Sequence, residues 1–178
     1  NSPKLYFSWH ILIKEVSNKL QNRNLKISFA ESCTGGALVS ALVSIPGASN
    51  ISEESYVTYS EHAKIKILNV KRETLDKYSV YSKEVAYEMC MGLFNISNSD
   101  ICVSITGHAG GNECQDNGIA FVCIKYLDEY YQCKLTESGS REEVRNKFVE
   151  KVFSKINELK PYELNCNISE QLSQLSLR

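Results

Sequence analysis

The sequence predicts an α/β fold, a sheet of mixed strand direction with helices on both faces. Three observations carry this. Helix-period and strand-period apolar patterns alternate along most of the chain. The run from Asp100 to Thr106 is almost continuously apolar, as an interior strand requires. A hairpin signal then comes late, so not every strand is followed by a crossover helix.

The elements follow in order. Ile11, Leu12, Ile13, Val16 and Leu20 recur at spacings of three and four, which predicts an amphipathic helix from Trp9 to Leu20. Asn22-Arg23-Asn24 turns the chain into a strand carrying Leu25, Ile27 and Phe29. A loop with Gly35-Gly36 opens a small-residue helix, which ends near Ser44 before Pro46-Gly47. The aromatic and β-branched stretch Ser55 to Tyr59 predicts a short strand. Ser60 is placed to cap a helix reaching Leu68, Thr74 to Tyr78 suits a helical turn, and Ser82 caps a helix to about Phe94. After the Asp100–Thr106 strand comes a second glycine loop, Gly107-His108-Ala109-Gly110-Gly111. Gly118 opens a strand to Tyr126, and Asp128-Glu129 turns it into a partner strand to Leu135. Val144, Phe148, Val152, Phe153 and Ile156 line one face of a helix from Ser140 to about Leu159, and Pro161 ends it. In the tail, Ile168, Leu172 and Leu175 are spaced to form a short apolar face.

Composition bounds the function. At 178 residues the chain holds a single domain with its own core. A net charge of −1 gives no reason to expect nucleic acid or an acidic membrane as partner. No apolar run approaches the roughly 20 residues that cross a bilayer. Seven cysteines, none in a C-x-x-C pair and several in apolar patterns, suit buried thiols in a reducing, cytoplasmic compartment. His10, His62 and His108 lack zinc-ligand spacing, and no metal or organic cofactor is expected.

The stretch Glu31-Ser32-Cys33-Thr34-Gly35-Gly36 carries the clearest chemistry. A strand that turns on glycines into a helix aims backbone N–H groups and a positive dipole end at an anion. Ser32 adds a hydroxyl, which becomes a nucleophile only with a base and with donors for the oxyanion it creates. Lys64 is a base if a dry pocket lowers its pKa; otherwise it is a solvated helix lysine. Tyr59 either assists a proton transfer or is a half-buried strand aromatic. Cys33 is either a reactive thiol or a packed one. No Gly-x-Ser-x-Gly elbow surrounds Ser32 and no Walker loop is present, which argues against an α/β-hydrolase triad and a P-loop. Three loaded segments fall after strands: Glu31–Gly36, Tyr59–Lys64 and Thr106–Gly111. Ligands of α/β sheets bind at that end.

Several of these strings closely resemble the CinA C-terminal domain family. They are Ala30-Glu31-Ser32-Cys33-Thr34-Gly35-Gly36, Pro46-Gly47-Ala48-Ser49, Val57-Thr58-Tyr59-Ser60 with Lys64, Val80-Tyr81-Ser82-Lys83-Glu84-Val85, Ser104-Ile105-Thr106-Gly107-His108-Ala109-Gly110, and Gly139-Ser140-Arg141 with Arg145. The resemblance runs in order from about residue 10 to 160. It implies a three-layer α/β/α sandwich with a mixed, mostly parallel sheet, commonly dimeric. Enzymatic members are nicotinamide-nucleotide amidases of pyridine-nucleotide salvage. The resemblance therefore implies hydrolysis of nicotinamide mononucleotide, with Ser32 as nucleophile, Lys64 as base and Tyr59 assisting. Cys33, Thr34, Gly35, Gly36, Thr106, Gly107, Ala109 and Gly110 would line the substrate site. Arg141 or Arg145 would hold its phosphate, unless each instead pairs with Glu142 or Glu150.

Two departures leave other readings open. Glu61 stands where the family usually has asparagine; a carboxylate there either repels a substrate phosphate or, near Lys64, raises the lysine pKa. Residues 111–117 replace a longer, glycine- and proline-containing loop. The alternatives are a catalytically impaired ligand-binding or interaction module, or an amidase with a shifted substrate.

Overall fold

The computed structural model describes residues 3–110 and 118–161, with side chains from Trp9 onward. The expectations for the 111–117 loop and for the tail beyond Pro161 lie outside the described residues. Helix α1 spans Pro3–Arg23 and β1 spans Ile27–Glu31, followed by α2, Ala37–Val43. A single 3-10 turn at Ala48–Asn50 leads to β2, Tyr56–Val57. Then come α3 (Glu61–Leu68), α4 (Arg72–Tyr78) and α5 (Lys83–Ile96). Strands β3 (Ile101–His108), β4 (Gly118–Tyr126) and β5 (Glu129–Glu137) precede α6, Arg141–Asn157.

The sheet order is β2-β1-β3-β4-β5. Strand β1 pairs in parallel with β2 and β3, while β3-β4 and β4-β5 are antiparallel. The mixed sheet is as expected, but its balance differs from what the resemblance implied. The hairpin strands are nine residues each and β2 is only two, so most registered pairs are antiparallel.

Alternation along the strands divides the core into two layers, completing the α/β/α sandwich. Phe29, Val103, Ile105, Val122 and Ile124 face one side, where α1, α2 and α6 bring Ile13, Val16, Leu38, Leu42, Phe148 and Phe153. Ala30, Cys102 and Cys123 face the other, where α5 packs Val85, Met89 and Leu93 against Leu68 and Leu75 of α3 and α4. The caps predicted at Ser60 and Ser82 form, and α6 has one as well. Ser60 accepts from the Ala63 N–H, Ser82 from Val85, and Ser140 and Glu143 make a full capping box at α6.

Several boundaries differ from expectation: the Ser55–Tyr59 strand is only Tyr56–Val57, α1 is longer at both ends and β5 runs on to Glu137, and two further shifts have a local physical reason. The second glycine loop starts later than expected, because β3 continues through Gly107 and His108, which pair with Ala120 and Ile119. A Cβ at Gly107 would overlap the Ile119 carbonyl oxygen, so this glycine serves close strand approach. The hairpin turns on Leu127-Asp128 rather than Asp128-Glu129, with Leu127 at φ 55°, and Glu129 already pairs with Tyr126. None of the helices is long and apolar enough to cross a membrane among the described residues.

Candidate active site

Ser32 lies one residue past the end of β1, where its N–H donates to the Ile105 carbonyl at 3.1 Å. Continuing the parallel register places it beside Thr106. Its neighbour Glu31 points to the opposite face, as alternation demands. Gly35 and Gly36 follow at φ 61° and 93°, conformations that a side chain opposes. They fold the loop back so that α2 starts over the Glu31 carboxylate.

The start of α2 is not an open anion site, contrary to the sequence expectation. The Glu31 carboxylate accepts from the N–H groups of Gly36, Leu38 and Val39 at 3.0, 3.1 and 2.9 Å. Those donors are the unpaired N–H groups of the first helical turn. The Gly35 N–H is also used, donating to the Ser32 carbonyl. Cys33 and Thr34 remain as the loop N–H donors without a protein oxygen among the described residues.

Lys64, on α3, is fully buried. Its Nζ lies 3.0 Å from Ser32 Oγ, 2.7 Å from the Thr58 carbonyl and 3.2 Å from the Tyr59 carbonyl. The strand-to-helix turn at Thr58–Ser60 thus wraps around the amine it serves. Burial lowers the Lys64 pKa to about 8, against smaller opposing effects of Cys33 and Glu61. The expected effect of Glu61 therefore exists but is outweighed by desolvation. Glu61 itself turns to Arg72, with an oxygen 2.6 Å from the guanidinium. A neutral Lys64 amine has two N–H donors for the two carbonyls and one lone pair for the Ser32 O–H. This is the geometry of a general base on a hydroxyl nucleophile. No carboxylate or imidazole substitutes for it at Ser32 among the described residues.

The family model for the CinA C-terminal domain matches residues 10–160. The chain belongs to the CinA C-terminal domain family. It is 43% identical over 131 residues to a CinA-like protein of Petrotoga mobilis, covering 72% of this chain and 32% of that one. It is 41% identical over 146 residues to a putative competence-damage inducible protein of Clostridium botulinum, covering 80% and 36%. The chain thus spans about a third of the length of the curated relatives it matches. Among solved structures, a CinA superfamily protein of Escherichia coli superposes with a TM-score of 0.80 at 28% identity, covering 89% of this chain and 94% of that one. The competence damage-inducible protein A of Klebsiella pneumoniae gives 0.79 at 29%, covering 84% and 95%.

In this CinA domain the two arginines of α6 do different things. Arg145 donates through Nε to the Cys33 carbonyl at 3.2 Å and through Nη2 to the Thr34 carbonyl at 2.7 Å. It staples α6 to the Ser32–Gly36 loop, and a Cβ at Gly35 would sit 3.2 Å from its Nη2. Arg141 bridges the mouth, donating to the Gly110 carbonyl at 3.1 Å and to the Tyr59 hydroxyl at 3.3 Å. Neither pairs with Glu142 or Glu150 among the described residues.

The other expected site residues separate into groups. The hydroxyls of Thr34 and Thr58 are buried and without a hydrogen-bond partner among the described residues. Thr106 is buried too, but its hydroxyl donates to the Val80 carbonyl at 2.8 Å. Gly107 lies in the ladder, and Ala109 lies in the apolar core on the α6 side. Cys33 is a packed thiol, its pKa raised to about 12 chiefly by burial. Glu31 as loop anchor and Arg145 as staple were not foreseen. A carboxylate five to eight residues before three helix N–H donors was the signal for the first; nothing local signals the second.

Proposed function

We propose that this CinA domain is an amidohydrolase that converts nicotinamide mononucleotide to nicotinic acid mononucleotide and ammonia. The observation that supports it most is the fully buried Lys64 amine, 3.0 Å from Ser32 Oγ, with a pKa of about 8. Neutral Lys64 takes the Ser32 proton as Oγ attacks the amide carbonyl. The loop N–H groups of Cys33 and Thr34 are the donors for the resulting oxyanion. The Lys64 ammonium then protonates the departing nitrogen, and the carbon–nitrogen bond breaks to release ammonia and leave an ester on Ser32. Water attacks that ester, giving a proton to Lys64, which passes it to the departing Ser32 Oγ as the acid leaves. Tyr59 and Arg141 sit at the mouth, where Arg141 is the cation available for the substrate phosphate. The identity of the substrate rests on family resemblance; the reaction class rests on the Ser32–Lys64 pair.

The impaired-module reading rests on Glu61 and on the altered 111–117 loop; Glu61 is engaged by Arg72, and the loop lies outside the described residues. Ammonia release from nicotinamide mononucleotide by wild type and by Ser32→Ala tests the proposal. Release by wild type and none by the variant is expected; equal rates, or none by either, overturn it. A panel of other pyridine amides tests a shifted substrate.

A further inference from the structure

We propose that Tyr81, backed by His108, is the specificity wall that receives the planar ring of the substrate, on the side of the cleft opposite Lys64. The identity of that ring as pyridine rests on the amidase reading above.

Position comes first. Ser104, Thr106 and His108 alternate onto one face of β3, the face that meets α5. Ser104 donates to the Ala86 carbonyl and Thr106 to the Val80 carbonyl. Ser32 stands beside Thr106 and points to the same layer, where it meets Lys64 from the β2 side. Tyr81 follows Val80, whose carbonyl takes the Thr106 hydrogen bond, so the Tyr81–His108 pair lies on the β3 side, along the strand from Ser32's neighbour Thr106.

The rings supply the second argument. Tyr81 and His108 have centroids 5.5 Å apart with planes tilted by 59°. This is a supported aromatic contact. Tyr81 nonetheless stays 47% exposed, leaving ring surface open at the carboxyl end of the sheet. The proton transfers between Ser32 and Lys64 make no use of it.

Preorganisation is the third. Ser79 adopts φ 71° and ψ 161°, a region that residues other than glycine avoid. The turn is held despite this. The Tyr81 N–H donates to Ser79 Oγ at 3.3 Å, Ser82 Oγ donates to the Ser79 carbonyl at 3.2 Å, and Thr106 clamps Val80. A ring fixed in this way loses little freedom on binding. The pyridinium of an N-ribosylated nicotinamide is both planar and cationic. An electron-rich phenol face attracts such a ring by stacking and by cation–π interaction.

The test uses the Ser32→Ala chain, in which turnover is removed, and measures binding by calorimetry. The probes are nicotinamide mononucleotide and ribose 5-phosphate, which shares the phosphate and sugar but has no ring. Adding Tyr81→Ala is expected to weaken the nucleotide by roughly tenfold to a hundredfold and to leave ribose 5-phosphate unchanged. Tyr81→Phe should keep both affinities within about threefold, since the ring remains. A ring-selective loss is not what general loosening of the fold produces, because that weakens both probes. Equal nucleotide binding with and without Tyr81, or parallel loss of both probes, overturns the proposal. The two readings fail separately. Ring-dependent binding with no ammonia release by the Ser32 chain overturns the amidase and leaves the wall standing. Ammonia release with ring-independent binding does the reverse, and no binding of either probe overturns both.

Discussion

Glu31 and Lys64 are both buried charged side chains, and they end on opposite faces of the same strand terminus. Glu31 meets three backbone N–H groups, so its carboxylate is fully engaged and completes the scaffold. Lys64 meets two carbonyls and a hydroxyl, the partners that suit an amine with its proton removed. Burial costs both groups solvation. One side of the loop recovers that cost in hydrogen bonds, whereas the other leaves it as a lowered pKa. The comparison teaches that burial by itself does not mark a reactive group. The kind of partner waiting in the buried site does.

The largest expected effect separates these roles. Lys64→Met keeps the length and apolar stem but removes the base. It should lower kcat for ammonia release by about 10²- to 10⁴-fold, read by single-turnover assay. A loss below tenfold would place the base elsewhere. Glu31→Ala strands three N–H groups in the interior and should cost about 3 kcal/mol, seen as a lower urea midpoint. Glu31→Gln keeps one acceptor and should recover part of the loss. An unchanged midpoint in Glu31→Ala would remove the scaffold role and blur the contrast.

The next effect sharpens the functional side. In the proposed reaction Lys64 acts only when neutral, and its folded-state pKa of about 8 lies below the ordinary 10.5. Protonation therefore inactivates the base as pH falls through about 8. kcat/KM should drop about tenfold per pH unit below that point and level off above it. Glu61→Gln removes a carboxylate that raises this pKa, so it should move the inflection to lower pH. A flat profile from pH 6 to 9 would contradict the assignment. The smallest effect concerns the staple. Arg145→Lys cannot donate to the Cys33 and Thr34 carbonyls as a planar fork does. It should lower kcat about fivefold with KM little changed, the mark of a displaced nucleophile loop. A rise in KM alone would instead assign Arg145 to the phosphate.

Most of this site could be read from local patterns, and the misreadings share a cause. Ser32, Tyr59 and Lys64 come from short strings that resemble the family, and the structure brings Ser32 and Lys64 within hydrogen-bond distance. The loop at Gly35-Gly36 looked like an anion site because its N–H groups are a local property. That Glu31 occupies them depends on how β1 enters the turn. Glu61 looked like a threat because it is three residues from Lys64. Its partner Arg72 lies on the next helix, and the desolvation that outweighs it comes from the whole layer over β1 and β2. The two arginines of α6 share one sequence motif and part company only because α6 crosses the sheet above two different loops.

The sequence by itself determined the α/β class, the order of its elements and the helix caps at Ser60 and Ser82, because each is encoded by spacing over a few residues, whereas the serine–lysine pair was legible only through resemblance to the family. Tertiary structure decided the antiparallel majority of the sheet, the filling of the α2 start by Glu31, the Arg145 staple and the lowered pKa of Lys64. Each of these depends on which distant groups come to lie side by side, and on how much water they exclude. Local periodicity contains neither.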